Sequence, residues 1–186
     1  METWLYILAL EGPEDLLKVG LSRRPLPRWA AFHPRWYEAF DLGCSLLVGC
    51  ETRGDAQRLE TSLHRQLRVH GSPMPLTIRP NAAGSTEWYR GAYPHACRFV
   101  AECEAAGYGV ERDVPAFLLP MMRADADRLD TVIRQAHAAL LAGWLSETQR
   151  RSLLDWVEGH LHFQPQLRAV PIAEFTELRG GSWPPA

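Results

Sequence analysis

Two apolar runs at the start of the chain, residues 3–10 and 16–21, are joined by only Glu11-Gly12-Pro13-Glu14-Asp15. A parallel crossover needs a dozen or more residues, so two strands this close must pair antiparallel. The connector is made of charges and turn formers, which fits a β-hairpin. The hairpin commits the chain to a sheet-containing fold. It also fixes the place of Lys18, the one lysine among twenty basic residues. An ammonium is a compact point charge and an arginine fork is not, so the two are not interchangeable.

The pattern after the hairpin alternates. Ser22 and Pro25 mark a helix start, and a short helix across Arg28–Phe32 stops before Pro34. Residues 45–50 form a third strand. Ala56, Leu59, Leu63 and Leu67 recur at helical spacing within 54–70, and Gly71 ends that run. Residues 71–86 form a Pro-, Ser- and Gly-rich loop, closed by Glu87-Trp88-Tyr89. A helix follows over Tyr93–Ala105, with Tyr93, Cys97 and Val100 inward. Beyond Pro115 the character is helical. Leu129, Val132, Ile133, Ala136 and Leu140 form one stripe, and Ser146-Glu147-Thr148-Gln149 fits a capping box for the next helix. The expected architecture is α+β: a small three-stranded, mainly antiparallel sheet flanked by helices, residues 1–112. A helical extension over 113–164 and an extended or partly disordered tail over 165–186 follow it.

At 186 residues and 46% apolar content the chain can bury a useful core. Its net charge of −2 gives no whole-molecule field for a polyanion. Yet Lys18, Arg23, Arg24, Arg28, His33 and Arg35 follow one another with no intervening acid, a local basic segment. No apolar run is long enough to span a membrane. No basic residue precedes the first apolar run, so it is not read as a secretory signal. The four cysteines, at 44, 50, 97 and 103, contain no CxxC pair and read as buried thiols in a reducing, cytoplasmic setting. His160 and His162 lack further ligands at metal-binding spacing. Asp125, Asp127 and Asp130 read as a solvated helix start.

In order along the chain stand Tyr6-Ile7-Leu8, Lys18-Val19-Gly20, Arg28, and Leu59-Glu60-Thr61-Ser62-Leu63-His64, then Glu87-Trp88-Tyr89. This series resembles the GIY-YIG nuclease superfamily, and most of all a phage-type subgroup with Lys-Val-Gly in the second motif. The likeness covers roughly residues 3–105. It implies divalent-metal-dependent endonuclease cleavage of DNA phosphodiester bonds, with Glu60 binding Mg²⁺ or Mn²⁺. It also implies that Arg28 clamps the phosphate and that Tyr6 activates or orients water. A free phenol, with pKa near 10, is a poor base at neutral pH, so Lys18 is expected to lower it. His64 or His33 is a secondary proton carrier, and Arg23, Arg24, His33 and Arg35 contact the nucleic-acid backbone. Three departures stand out. No glycine opens the first motif, Lys18 replaces the commoner tyrosine, and Asn81, the only asparagine, has no clear counterpart, with Glu87 in that neighbourhood instead. Two other readings stand beside it: a nucleic-acid-binding module that keeps the basic segment and has lost hydrolysis, and a protein–protein adaptor, such as a homodimer, working through the C-terminal helices instead.

Overall fold

The computed structural model describes residues 2–79, 86–163 and 172–180. Two compact units divide the chain, Met1–Phe117 and Leu118–Ala186. Among the described residues no helix is long and apolar enough to cross a membrane. Asn81 lies outside the described residues.

The first unit is built on β1 (Thr3–Leu10) and β2 (Leu16–Ser22), which form the expected antiparallel hairpin. Next come α1 (Pro25–Phe32), α2 (Trp36–Ala39) and β3 (Phe40–Cys50), which pairs with the other edge of β1. Proline in the first turn of α1 suits a helix start, where its missing N–H would be unpaired anyway. α3 (Arg53–Gln66) is capped by Thr52, whose hydroxyl accepts from Asp55 N at 3.1 Å. A 3₁₀ turn (Arg68–His70), β4 (Gly71–Ser72), β5 (Trp88–Arg90), α4 (Tyr93–Ala105) and β6 (Gly109–Glu111) complete the unit.

The sheet is α+β in its setting and antiparallel throughout, as expected, but it has six strands rather than three, in the order β4-β5-β2-β1-β3-β6. The added strands are two or three residues long. Such stretches are too short for an alternating pattern to be read. Strand alternation sends Leu5 and Ile7 to one face and Tyr6 and Leu8 to the other. The first face forms an apolar core with Leu17, Val19, Leu63 and Leu67, closed by Ala96, Phe99 and Val100 of α4. Tyr93 and Cys97, expected inward, are only partly buried at its margin. On the second face Tyr6 meets Trp29 and Phe32 of α1 edge-on, with ring centroids 6.3 and 6.4 Å away.

The cysteines do not behave as one class. Cys50 and Cys103 are buried, Cys97 is half-buried and Cys44 is exposed.

The boundary expected at residue 112 lies later, because α5 (Val114–Leu141) begins with the sheet. Val114 is fully buried, and Phe117 packs edge-on against Trp4 at 4.6 Å. The second unit holds the rest of α5, then α6 (Glu147–Phe163) and α7 (Ile172–Arg179). The capping box forms as read: Ser146 N donates to Gln149 Oε1 and Gln149 N to Ser146 Oγ. Residues 172–179 correct the expectation of an extended tail. Phe175 and Leu178, three apart, are buried against Leu129, Ile133, Leu153 and Val157, and that burial favours a helix.

Candidate active site

Hairpin register places the first elements of the site. Tyr6 stands opposite Gly20, and Leu8 opposite Lys18. A Cβ built on Gly20 would stand 2.3 Å from Tyr6 Oη. The glycine of Lys18-Val19-Gly20 is therefore the floor on which the phenol lies, because any side chain there would displace it.

Tyr6 is 1% exposed. Arg28 Nε donates to its hydroxyl at 3.4 Å, while the Arg28 guanidinium lies 4.7 Å from the Phe32 ring centroid. Burial pushes the Tyr6 phenol up to about 12. Arg28 opposes the shift, and the charges of Glu87 and Glu60 add to it.

Lys18 is wholly buried. Its Nζ donates to Glu87 Oε2 at 2.6 Å and to the Val19 carbonyl at 3.0 Å, with Phe32 and Trp88 rings at 5.6 and 5.9 Å. Burial lowers its pKa, and the Glu87 carboxylate resists that fall. The expectation that Lys18 lowers the Tyr6 pKa is therefore corrected. The ammonium is committed to Glu87, the cation on the phenol is Arg28, and the net shift of Tyr6 is upward because desolvation dominates.

Glu60 projects from α3, whose apolar side packs on the opposite face from Tyr6. It is 8% exposed and accepts from Gln57 Nε2 at 2.8 Å. One helical turn on, His64 Nε2 lies 3.8 Å from Glu60 Oε1. The other ring nitrogen, Nδ1, is 2.6 Å from Tyr89 Oη, and the two rings stack at 5.8 Å between centroids. β5 pairs with β2 opposite Leu16–Lys18, and the Glu87 carbonyl accepts from Val19 N at 3.1 Å where that pairing ends. There Glu60, His64 and Glu87 each offer a ligand atom, all within 4.8 Å of one another. Glu87 thus links the two groups, bonded to Lys18 on one side and with a carboxylate oxygen within 4.8 Å of the Glu60 and His64 ligand atoms on the other.

This donor set fits a divalent cation. Two carboxylates suit a hard ion, and an imidazole extends the set to borderline ones. His64 Nε2 is a buried nitrogen with no hydrogen-bond partner, an atom left for something else to satisfy.

The basic segment is divided in its use. Arg23 and Arg24 are exposed, and Arg23 lines a shallow pocket with Thr3, Leu21, Ser22 and Arg53. Arg35 instead forks onto Glu38, with Nε to Oε2 at 2.7 Å, and its backbone N–H bonds His33 Nδ1 at 3.1 Å. His33 and Arg35 are therefore tied into the turn before α2. Trp29, Trp36 and Tyr37 are buried, so their rings pack rather than face solvent.

Sequence reasoning named Tyr6, Lys18, Arg28, Glu60 and His64. It placed Glu87 near the site without a role, and it missed Tyr89 and Gln57. The string Glu87-Trp88-Tyr89 carried the signal for two of them. A register-based reading of Gly20 would have needed the hairpin pairing. Compared with models of known protein families, with curated proteins and with solved structures, the chain matches none.

Proposed function

We propose that the chain is a divalent-metal-dependent endonuclease acting on nucleic-acid phosphodiester bonds, DNA first among them. The observation that carries this reading is the meeting at Glu87 of a buried ammonium with the Glu60–His64 pair, in the unit that also holds the Tyr6–Arg28 pair. Phosphodiester hydrolysis needs a held phosphate, an oriented water and neutralised charge, and these groups match those needs.

Arg28 is half-buried, so it is the part of the Tyr6–Arg28 pair that solvent reaches. Its fork binds the phosphate oxygens. Tyr6 keeps its proton at neutral pH, so its hydroxyl donates to a phosphate oxygen and accepts from water, orienting the attack. It does not act as a free phenolate. Lys18 holds the Glu87 carboxylate in place through Oε2. Glu60, with Glu87 beside it, would hold Mg²⁺ or Mn²⁺. Such an ion supplies Lewis-acid stabilisation of phosphate charge and a water of lowered pKa. Arg23, Arg24 and Arg53 track the backbone without reading sequence.

The test is incubation of supercoiled plasmid, single-stranded DNA and RNA with Mg²⁺, Mn²⁺ or chelator. Metal-dependent cutting is expected. Glu60→Ala and Tyr6→Phe should each lower it at least about a hundredfold with the circular dichroism spectrum retained. Undiminished cutting by Glu60→Ala defeats the assignment. One observation favours a second reading, a binding module without hydrolysis: the phenol is almost wholly buried and its pKa is raised. A salt-sensitive gel shift with no cutting in any divalent ion selects that reading.

A further inference from the structure

We infer that His64 is a metal ligand through Nε2, that Tyr89 is the positioning residue that orients it, and that the centre therefore favours Mn²⁺ over Mg²⁺. The inference rests on the metal site of the proposed function and adds its ligand atoms and its choice of ion.

The argument starts from the two nitrogens of one ring. A neutral imidazole carries its proton on one nitrogen and a lone pair on the other, and the hydrogen bond at one decides the state of its partner. His64 Nδ1 has a partner, Tyr89 Oη at 2.6 Å. Nε2 has none, although it is buried and faces Glu60 Oε1 across 3.8 Å. That gap is too long for a hydrogen bond and wide enough for an ion to sit between nitrogen and oxygen. A phenol oxygen can accept as well as donate. When it accepts from Nδ1–H, the Nε2 lone pair points into the space shared with Glu60 and Glu87. Ligating imidazoles commonly have such an outer partner on the other nitrogen, and losing it costs about 10- to 100-fold in metal affinity. The stacking of the His64 and Tyr89 rings fixes the imidazole plane. Tyr89 itself is held by β5, paired to Leu17 on one side and Gly71 on the other.

The nitrogen decides the ion. Carboxylates and water alone suit Mg²⁺, whereas an imidazole in the set favours first-row transition ions. Mn²⁺ accepts both donor types and is the probe of choice because it is paramagnetic.

The experiment uses the full chain without nucleic acid. Free Mn²⁺ is counted by electron paramagnetic resonance during a titration, with Mg²⁺ as competitor. Pulsed measurements on the bound ion look for coupling to ¹⁴N. The wild type should hold Mn²⁺ with ¹⁴N coupling and should need more than about a tenfold excess of Mg²⁺ to release half of it. His64→Ala should lose the ¹⁴N signal and that preference, and His64→Gln gives the same comparison if the alanine variant fails to fold. Tyr89→Phe should keep the ¹⁴N signal and weaken Mn²⁺ binding about 10- to 100-fold. Bound Mn²⁺ without ¹⁴N coupling, or a His64 variant with unchanged ion preference, overturns the inference. So does a wild type that binds no Mn²⁺. Nitrogen-coupled Mn²⁺ with no cleavage of any substrate removes the hydrolase reading alone. Mg²⁺-dependent cleavage without nitrogen coupling removes this inference alone.

Discussion

The two units of the chain handle charge in opposite ways. In the helical unit the core of Leu129, Ile133, Leu153, Val157, Phe175 and Leu178 is apolar, and ion pairs such as Arg134–Glu174 lie outside it. Among its described residues the one buried titratable side chain, His160, bonds the Trp156 carbonyl through Nδ1 at 2.9 Å. In the sheet unit the Lys18 ammonium is buried beside the Phe32 and Trp88 rings, and the Glu60 carboxylate is buried on α3. Burying a charge costs several kcal/mol even when it is paired, and an apolar replacement is often as stable. The helical unit shows that this chain can build a core without such a cost. The contrast points to a use for Lys18 and Glu60 other than stability.

Four substitutions break or sharpen that contrast. The largest effect on stability should come from Ile133→Ala in the helical core, about 2–5 kcal/mol by denaturant unfolding, through lost burial and a cavity. Metal binding by the refolded protein should not change. Next is an alkaline effect. The Tyr6 pKa of about 12 in the folded chain exceeds the free phenol value of 10.0. A raised pKa gives stability that is complete below pH 10 and is lost as pH climbs through 12. Two units at 1.36 kcal/mol each make that loss about 3 kcal/mol. Tyr6→Phe should remove it, seen as a flatter stability curve above pH 10. The wild-type-minus-variant difference cancels the opposite trend from Lys18, whose depressed pKa makes stability rise with pH towards 10.5. Third, Gly20→Ala should cost about 1–3 kcal/mol by overpacking against a rigid ring. It should also abolish cutting, because the Tyr6 hydroxyl must move. Smallest is Arg134→Ala, an exposed pair in the helical unit, expected within about 1 kcal/mol and without effect on cutting. A large loss there would erase the distinction between the two units.

What could be read in advance follows from the range of the physics involved. The hairpin, the apolar stripe of α3, the α4 bounds and the Ser146 capping box depend on neighbours within a few residues, so the sequence spelled them out; the Thr52 cap and the end of α3 at Gln66 came only with the structure. β4, β5 and β6 exist because longer strands offer them an edge, and two or three residues carry no period. α7 was hidden for a similar reason, since Phe175 and Leu178 need α5 and α6 beside them. Within the site, residue types and order were legible for Tyr6, Lys18, Arg28, Glu60 and His64. Their pairings were not. The sequence assigns Lys18 to Tyr6 because a free phenol is a poor base at neutral pH, but the three-dimensional arrangement gives the ammonium to Glu87. The sign of the Tyr6 shift was missed for the same reason: burial is a property of the fold, not of the motif.

The Lys18–Glu87 contact joins positions 69 residues apart. The hairpin that carries the lysine can close early, since its own loop is short, whereas the glutamate arrives only after a long loop has been drawn in. A chain that ends before Glu87 therefore lacks both the carboxylate and the Trp88 ring that enclose the Lys18 ammonium.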